Sequence, residues 1–176
     1  MDAILTLILA HLLADFPFQQ RWLAAYKLEN FMGVLLHAAT HLAIGLLLFL
    51  PFLGEGRVWT ALLLVSGLHA AIDQTKIRLL KKSRLHPLFL FFADQLLHGL
   101  VLAGIGYSML RPLTGFPLPY TVALYLVILI LSTYFYDIAL WVYASAKNPR
   151  PYVRNLRRMA MNGAIVTIAF VLYWIH

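Results

Sequence analysis

The sequence predicts an all-α integral membrane protein of about six transmembrane helices, with a four-helix core built from two similar two-helix units. Three observations carry this expectation. The 176-residue chain is 62% hydrophobic and only 12% charged, whereas a soluble domain is about a quarter charged. Its apolar residues gather into six segments separated by Pro, Gly and basic residues. The first four segments carry eight metal-type side chains as four pairs, His11/Asp15, His37/His41, His69/Asp73 and Asp94/His98, each pair four residues apart. Four residues is slightly more than one helical turn, so both members of a pair face the same side of a helix.

The segments run roughly over residues 3–16, 31–50, 58–80, 87–110, 120–146 and 157–175. Five are long enough to cross a hydrocarbon core about 30 Å thick at about 1.5 Å per residue. The first is short and stops at Pro17. It continues either as a kinked helix or as an interfacial helix over about 19–29. The interfacial reading is preferred, with Trp22, Leu23 and Tyr26 at the membrane surface and Arg21 and Lys27 snorkelling. Pro51, Gly54 and Gly56 end the second segment, and Pro87 opens the fourth. Pro112, Gly115, Pro117 and Pro119 form the next loop, and Pro149 and Pro151 the last. The whole chain, 1–176, is expected to be one membrane domain. Residues 1–110 form the core and 111–176 add two further transmembrane helices.

Basic residues set the orientation. Of 14 Lys and Arg, 12 follow the first, third and fifth segments, and only Arg57 and Arg111 lie on the other side. The positive-inside rule puts those three loops in the cytoplasm and both termini outside. Met1 and Asp2 open the chain without a basic signal-peptide region, so the helix from Ala3 is expected to be retained. With this orientation all four pairs fall at one depth, in the cytoplasmic half of the membrane, and Asp137 falls in the same half. The excess of basic residues reads as a topology signal, and no nucleic-acid partner is expected.

The pairs also repeat. His69 follows His11 and Asp73 follows Asp15 by 58 positions, while Asp94 follows His37 and His98 follows His41 by 57. A near-constant offset suggests two copies of a two-helix unit.

Ionisable side chains within apolar helices cost about 2.5–3.5 kcal/mol each for the charged types at the membrane centre, so they need a reason. Five His and three Asp at one level offer imidazole nitrogens and carboxylate oxygens, a set suited to one or two divalent ions. Zn²⁺ comes first, with Mn²⁺ and Fe²⁺ as alternatives. The metal ligands are drawn from His11, Asp15, His37, His41, His69, Asp73, Asp94 and His98, with five or six binding directly and the rest orienting them. Gln19, Gln74, Gln95 and Thr40 are expected to form the outer polar layer, and Lys76 with Arg78 to hold a substrate phosphate. The catalytic group would be a metal-bound water. Asp137 is expected to form a structural cluster with Tyr134 and Tyr136. Trp59, Tyr120, Trp141, Tyr143 and Trp174 are expected to be interfacial anchors. With no cysteine in the chain, disulfides, thiolate metal sites and thiol nucleophiles are excluded.

The runs HLLADFPFQQ (His11–Gln20), LLHAATH (Leu35–His41), HAAIDQTK (His69–Lys76) and ADQLLH (Ala93–His98) resemble a bacterial integral-membrane family, domain of unknown function 3307, over about residues 3–105. That resemblance implies a multi-pass protein of the bacterial inner membrane and supplies no activity. More distantly, the TH of LLHAATH and the His69/Asp73 pair resemble the membrane-bound metal-dependent hydrolase family, which implies a zinc hydrolase.

The expected function is therefore hydrolysis of a phosphate or ester bond in a membrane lipid or lipid-like substrate at the cytoplasmic face. The alternatives are a metal-ion or proton transporter, a haem protein, and a non-enzymatic metal-binding subunit. A homo-oligomer is compatible with each.

Overall fold

Prolines and capping side chains set the helix ends in a computed structural model that describes residues 3–147 and 151–175. Met1, Asp2, Pro149 and Arg150, which entered the sequence reading, lie outside the described residues. Helix α1 (Ala3–Asp15) stops just before Pro17, and α2 (Arg21–Glu29) follows as a separate short helix. Asn30 caps α3 (Phe31–Leu48), its side-chain oxygen accepting from the Met32 amide at 2.9 Å. After a short 3₁₀ turn comes α4 (Gly56–Lys82), with Lys81 and Lys82 in its last turn, where cations favour the helix dipole. Pro87 is the first residue of α5 (Pro87–Ile105), and His86 Nδ1 accepts from the Leu88 amide at 3.2 Å.

Helix α5 ends in a π-helical turn over Gly106–Leu110. A second π turn over Leu131–Phe135 joins α6 (Tyr120–Ile130) to α7 (Tyr136–Ser145) as one rod, and α8 (Leu156–Ile175) closes the chain. All regular structure among the described residues is helical. Within the stretch 19–29, read as interfacial, Arg21–Glu29 form α2, which leaves Trp22 exposed but buries Leu23, expected at the membrane surface, inside the protein.

Four segments are long and apolar enough to cross a membrane: Phe31–Leu48, Pro87–Leu110, Tyr120–Ser145 and Leu156–Ile175. The chain is a multi-pass, all-α membrane protein. The expectation of about six apolar spans changes at two places. Helix α4 is long, but Asp73, Gln74, Lys76 and Arg78 make its second half polar. The 13 residues of α1 reach about 20 Å, two-thirds of a bilayer core. Nine of them are buried, so α1 is surrounded by protein, as a helix that is apolar on all sides should be.

Helices α1, α3, α4 and α5 form a closed ring, each packed on the next and α5 back on α1. Each contributes one of the four pairs. At one end of the ring Leu7, Phe49, Val58, Leu62, Leu102 and Leu110 form a continuous apolar core. A second apolar cluster, including Leu9, Phe16, Phe91 and Val127, joins α1 and α5 to α6. Helix α8 buries no residue and attaches from outside. The Asn162 side-chain amide donates to the Ser132 carbonyl, in the second π turn, at 2.7 Å.

Candidate metal centre

Asp15, on the last turn of α1, lies at the middle of the site. Its Oδ1 accepts from the Nε2 groups of His37 and His41, each at 2.9 Å. Around this pair of bonds the other contacts are longer. His11 Nε2 is 3.5 Å from Asp15 Oδ2, and His69 Nε2 is 3.7 Å from Asp15 Oδ1. Asp73 Oδ2 lies 3.5 Å from His69 Nε2 and 3.7 Å from His37 Nε2. The rings themselves are stacked close, His41 on His69 with centroids 3.6 Å apart and His69 on His98 at 4.2 Å.

These longer distances have a physical meaning. At 3.5–3.7 Å the N···O pairs are too far apart for good hydrogen bonds. Two ligands on one tetrahedral ion, each about 2.0–2.2 Å from it, are roughly 3.4 Å apart. The spacing matches shared coordination better than direct bonding. Two sets of ligand atoms lie mutually within 4.8 Å: His11, Asp15, His41 and His69 in one, and His37, His69 and Asp73 in the other. His69 belongs to both.

The buried atoms without hydrogen-bond partners point the same way. They include His11 Nε2, both ring nitrogens of His69 and of His98, and Asp94 Oδ1. Each such atom costs about 1–3 kcal/mol when left unpaired. Six on four neighbouring side chains rival the entire net stability of a domain, about 5–15 kcal/mol. A cation seated among the His11, Asp15, His41 and His69 donors would engage two of these side chains directly and relieve that cost.

The structure brings all eight pair residues into one cluster, but not on equal terms. Asp94 and His98 stand outside both ligand sets. Asp94 Oδ2 is bound by Lys76 Nζ at 2.6 Å and by the Gln95 amide at 3.1 Å. Gln95 also lies 3.3 Å from Asp15 Oδ2. The Gln19 amide nitrogen is 3.3 and 3.0 Å from the two ring nitrogens of His37.

Several expectations need correction. Gln74 makes no hydrogen bond to the cluster among the described residues, because its position one residue after Asp73 turns its side chain about 100° round α4, away from the buried His69/Asp73 face. Thr40 donates to the Leu36 carbonyl of its own helix at 3.2 Å. Arg78 is exposed and lines no wall of the cavity beside the cluster, which Lys76 does line while pairing with Asp94. Lys27, read as a snorkelling surface residue, instead reaches Asp73 at 2.8 Å.

Asp15 and Asp73 bring the edge of the cluster to a cavity of about 310 Å³ bounded by α1, α2, α4, α5 and α7. Asp15, Gln19, Lys27, Asp73, Lys76 and Gln95 provide its polar lining. Ile77, Leu80, Phe91, Ile138, Trp141 and Val142 provide apolar walls. The cavity extends to Leu28, Leu80, Pro87 and Ala146, at the helix ends that carry the basic loops. At the opposite end lies the apolar core around Phe49 and Leu110.

A second buried acid, Asp137 on α7, accepts from Tyr152 Oη at 2.9 Å, from the Asn155 amide at 3.3 Å and from the Arg158 guanidinium. Its partners are thus on the loop before α8 and at the start of α8, in place of the expected Tyr134 and Tyr136. Trp141, expected at the interface, packs on Tyr152 and lines the cavity.

Fold and site together define a multi-pass helical membrane protein with an intramembrane His/Asp cluster. The chain belongs to the family described as Protein of unknown function (DUF3307), whose match covers residues 3–118. The match spans the whole four-helix ring and ends in the loop before α6. Comparisons with curated proteins and with solved structures gave no match.

Proposed function

We propose that this protein is a membrane-embedded, metal-dependent hydrolase of the bacterial inner membrane. Its His/Asp centre would hold one or two divalent ions, zinc first, and act on a lipid-like phosphate or ester at the cytoplasmic face. The observation that carries this is the set of unpaired buried donor atoms on His11, His69, His98 and Asp94, beside an amphipathic cavity whose wall includes Asp15 and Asp73 of the same cluster. A bound ion there would polarise a phosphoryl or carbonyl oxygen and lower the pKa of water. Asp15 and Asp73 supply the anionic oxygens, while Gln19 and Gln95 orient His37 and Asp15. The apolar walls suit a hydrocarbon tail. The likeness of His41 and of the His69/Asp73 pair to the membrane-bound metal-dependent hydrolase family supports the same reading.

Transport of an ion is the less favoured reading, because an apolar core around Phe49, Leu62 and Leu110 closes the end of the ring away from the cavity. The test is elemental analysis of protein purified in detergent, for the parent chain and for His41→Ala and Asp73→Ala. Stoichiometric metal that falls in both variants is expected, together with metal-dependent cleavage of p-nitrophenyl phosphate or butyrate. Parent protein free of metal after zinc loading would defeat the proposal.

A further inference from the structure

Two ammonium groups converge on the cavity floor from different helices. Lys27 Nζ of α2 sits 2.8 Å from Asp73 Oδ2, and Lys76 Nζ of α4 sits 2.6 Å from Asp94 Oδ2. Their side chains are 12% and 22% exposed, against 3% and 2% for the carboxylates. Asp94 is therefore sealed behind Lys76, Asp73 shares the cavity wall with Lys27, and both lysines line the cavity. Each ammonium has three N–H donors, and one from each is committed to its carboxylate. The remaining donors are available to whatever enters.

Charge balance gives these lysines a further role. With the imidazoles neutral, as metal ligation requires, the carboxylates of Asp15, Asp73 and Asp94 exceed the two ammoniums by one negative charge. One divalent ion reverses the balance to one positive charge, and a second makes it three. Asp73 is a member of one ligand set, so an ion bound there would compete with Lys27 for that carboxylate. Such an ion would offset the charge of Asp73 and release the ammonium that now sits 2.8 Å from its Oδ2. A net positive, partly dehydrated cavity strongly favours an anion and gives no such advantage to a neutral ester.

Resting on the metal-centre reading above, we infer that the cavity takes an anionic phosphate headgroup. Lys27 and Lys76 grip it from two sides, and metal binding switches Lys27 from its carboxylate partner to the ligand. The attached alkyl chain lies along Phe91, Ile138 and Trp141, which wall the cavity on α5 and α7. The structure thus narrows the substrate class from phosphates or esters in general to alkyl phosphates, and predicts that metal and phosphate bind cooperatively.

The experiment titrates full-length protein in detergent with hexyl phosphate, inorganic phosphate and hexyl acetate, each with and without zinc. Binding is read from Trp141 emission, with Trp141→Phe to assign the signal. Hexyl phosphate is expected to bind at least about tenfold more tightly to the zinc-loaded protein. Inorganic phosphate should show the same zinc dependence but weaker binding, because it leaves the apolar wall unused; equal binding of the two phosphates would overturn the alkyl-phosphate assignment. Lys27→Met and Lys76→Met should lose most of the phosphate affinity while keeping zinc, and Lys27→Arg should retain it. Zinc retention shows that the variants are folded. If zinc binds stoichiometrically but hexyl acetate gains as much from it as hexyl phosphate, the inference fails and the metal centre stands. If the parent binds no zinc, both fall together.

Discussion

Lys27 and Asp73 form an ion pair 46 residues apart in sequence, at 2.8 Å, and it joins the short helix α2 to the middle of α4. Both groups are largely buried, so removing one strands the other. Lys27→Met should lower the stability of metal-free protein by about 3 kcal/mol, the lower end for breaking a buried pair. Zinc should restore more stability to this variant than to the parent, because the ion no longer displaces an ammonium from Asp73. At a concentration about 100 times its dissociation constant, zinc adds about 2.7 kcal/mol to a protein that binds it only when folded. Thermal unfolding with and without zinc measures both effects. An equal zinc-induced shift in parent and variant would show that Lys27 and the ion do not compete.

His69 and His98 stack face to face, yet they differ in what they can bind. His69 belongs to both ligand sets and His98 to neither. His69→Ala should therefore abolish zinc binding altogether. His98→Ala should leave the stoichiometry intact and weaken affinity by about tenfold or more, as loss of an outer partner typically does. Zinc per chain, measured for the two variants in parallel, separates them. A larger loss of bound metal in His98→Ala would mean that the ligand sets are wrongly assigned.

Much of the centre was legible in the sequence because its signal is local. A pair at i and i+4 in an apolar run stands out on composition alone, and the basic loops gave the four pairs a common depth. The ring of α1, α3, α4 and α5 then follows from burying those faces together. What sequence could not supply is the angle between helices. Gln74 and Gln95 each follow a ligand-type Asp by one residue, which turns each side chain about 100° round its helix, yet only on α5 does that turn bring the amide to Asp15. Lys27 is a further case. Its sequence neighbours read as a membrane surface, and only the packing of α2 on α3 turns its side chain inward. The same applies to Asp137, whose Arg158 partner is 21 positions away, across a loop.

That packing of α2 rests on Gly33. A Cβ placed there would lie 2.6 Å from the backbone nitrogen of Lys27 and 2.7 Å from its Cα. Backbone cannot yield as a side-chain tip can, so even Gly33→Ala must push α2 away and carry Lys27 from Asp73. The expected cost is about 1–3 kcal/mol, with weaker phosphate binding as a second consequence. Gly99, within α5, meets nothing within 4 Å, and Gly99→Ala should be neutral or stabilising by about 0.5–1 kcal/mol. Chemical or thermal unfolding of the two variants provides the comparison, and similar stability for both would show that α2 is not seated by Gly33.

Tyr152, in the loop before α8, offers a test in the alkaline range. Burial and the hydroxyl bond it donates to Asp137 both push its pKa well above that of an ordinary phenol. A group whose folded pKa is raised stabilises the fold fully below its unfolded value, about 10 for tyrosine. That contribution is lost as pH rises through the folded value. The attachment of the loop and α8 should accordingly be unchanged between neutral pH and about pH 10, and weaken only above it. Spectroscopic titration at the phenolate band should find one tyrosine that ionises late, absent in Tyr152→Phe. That variant should also lose about 1 kcal/mol through the missing hydrogen bond and show a flatter decline of stability at high pH. If Tyr152→Phe leaves the phenolate titration curve unaltered at its alkaline end, the hydroxyl does not face the Asp137 carboxylate in solution.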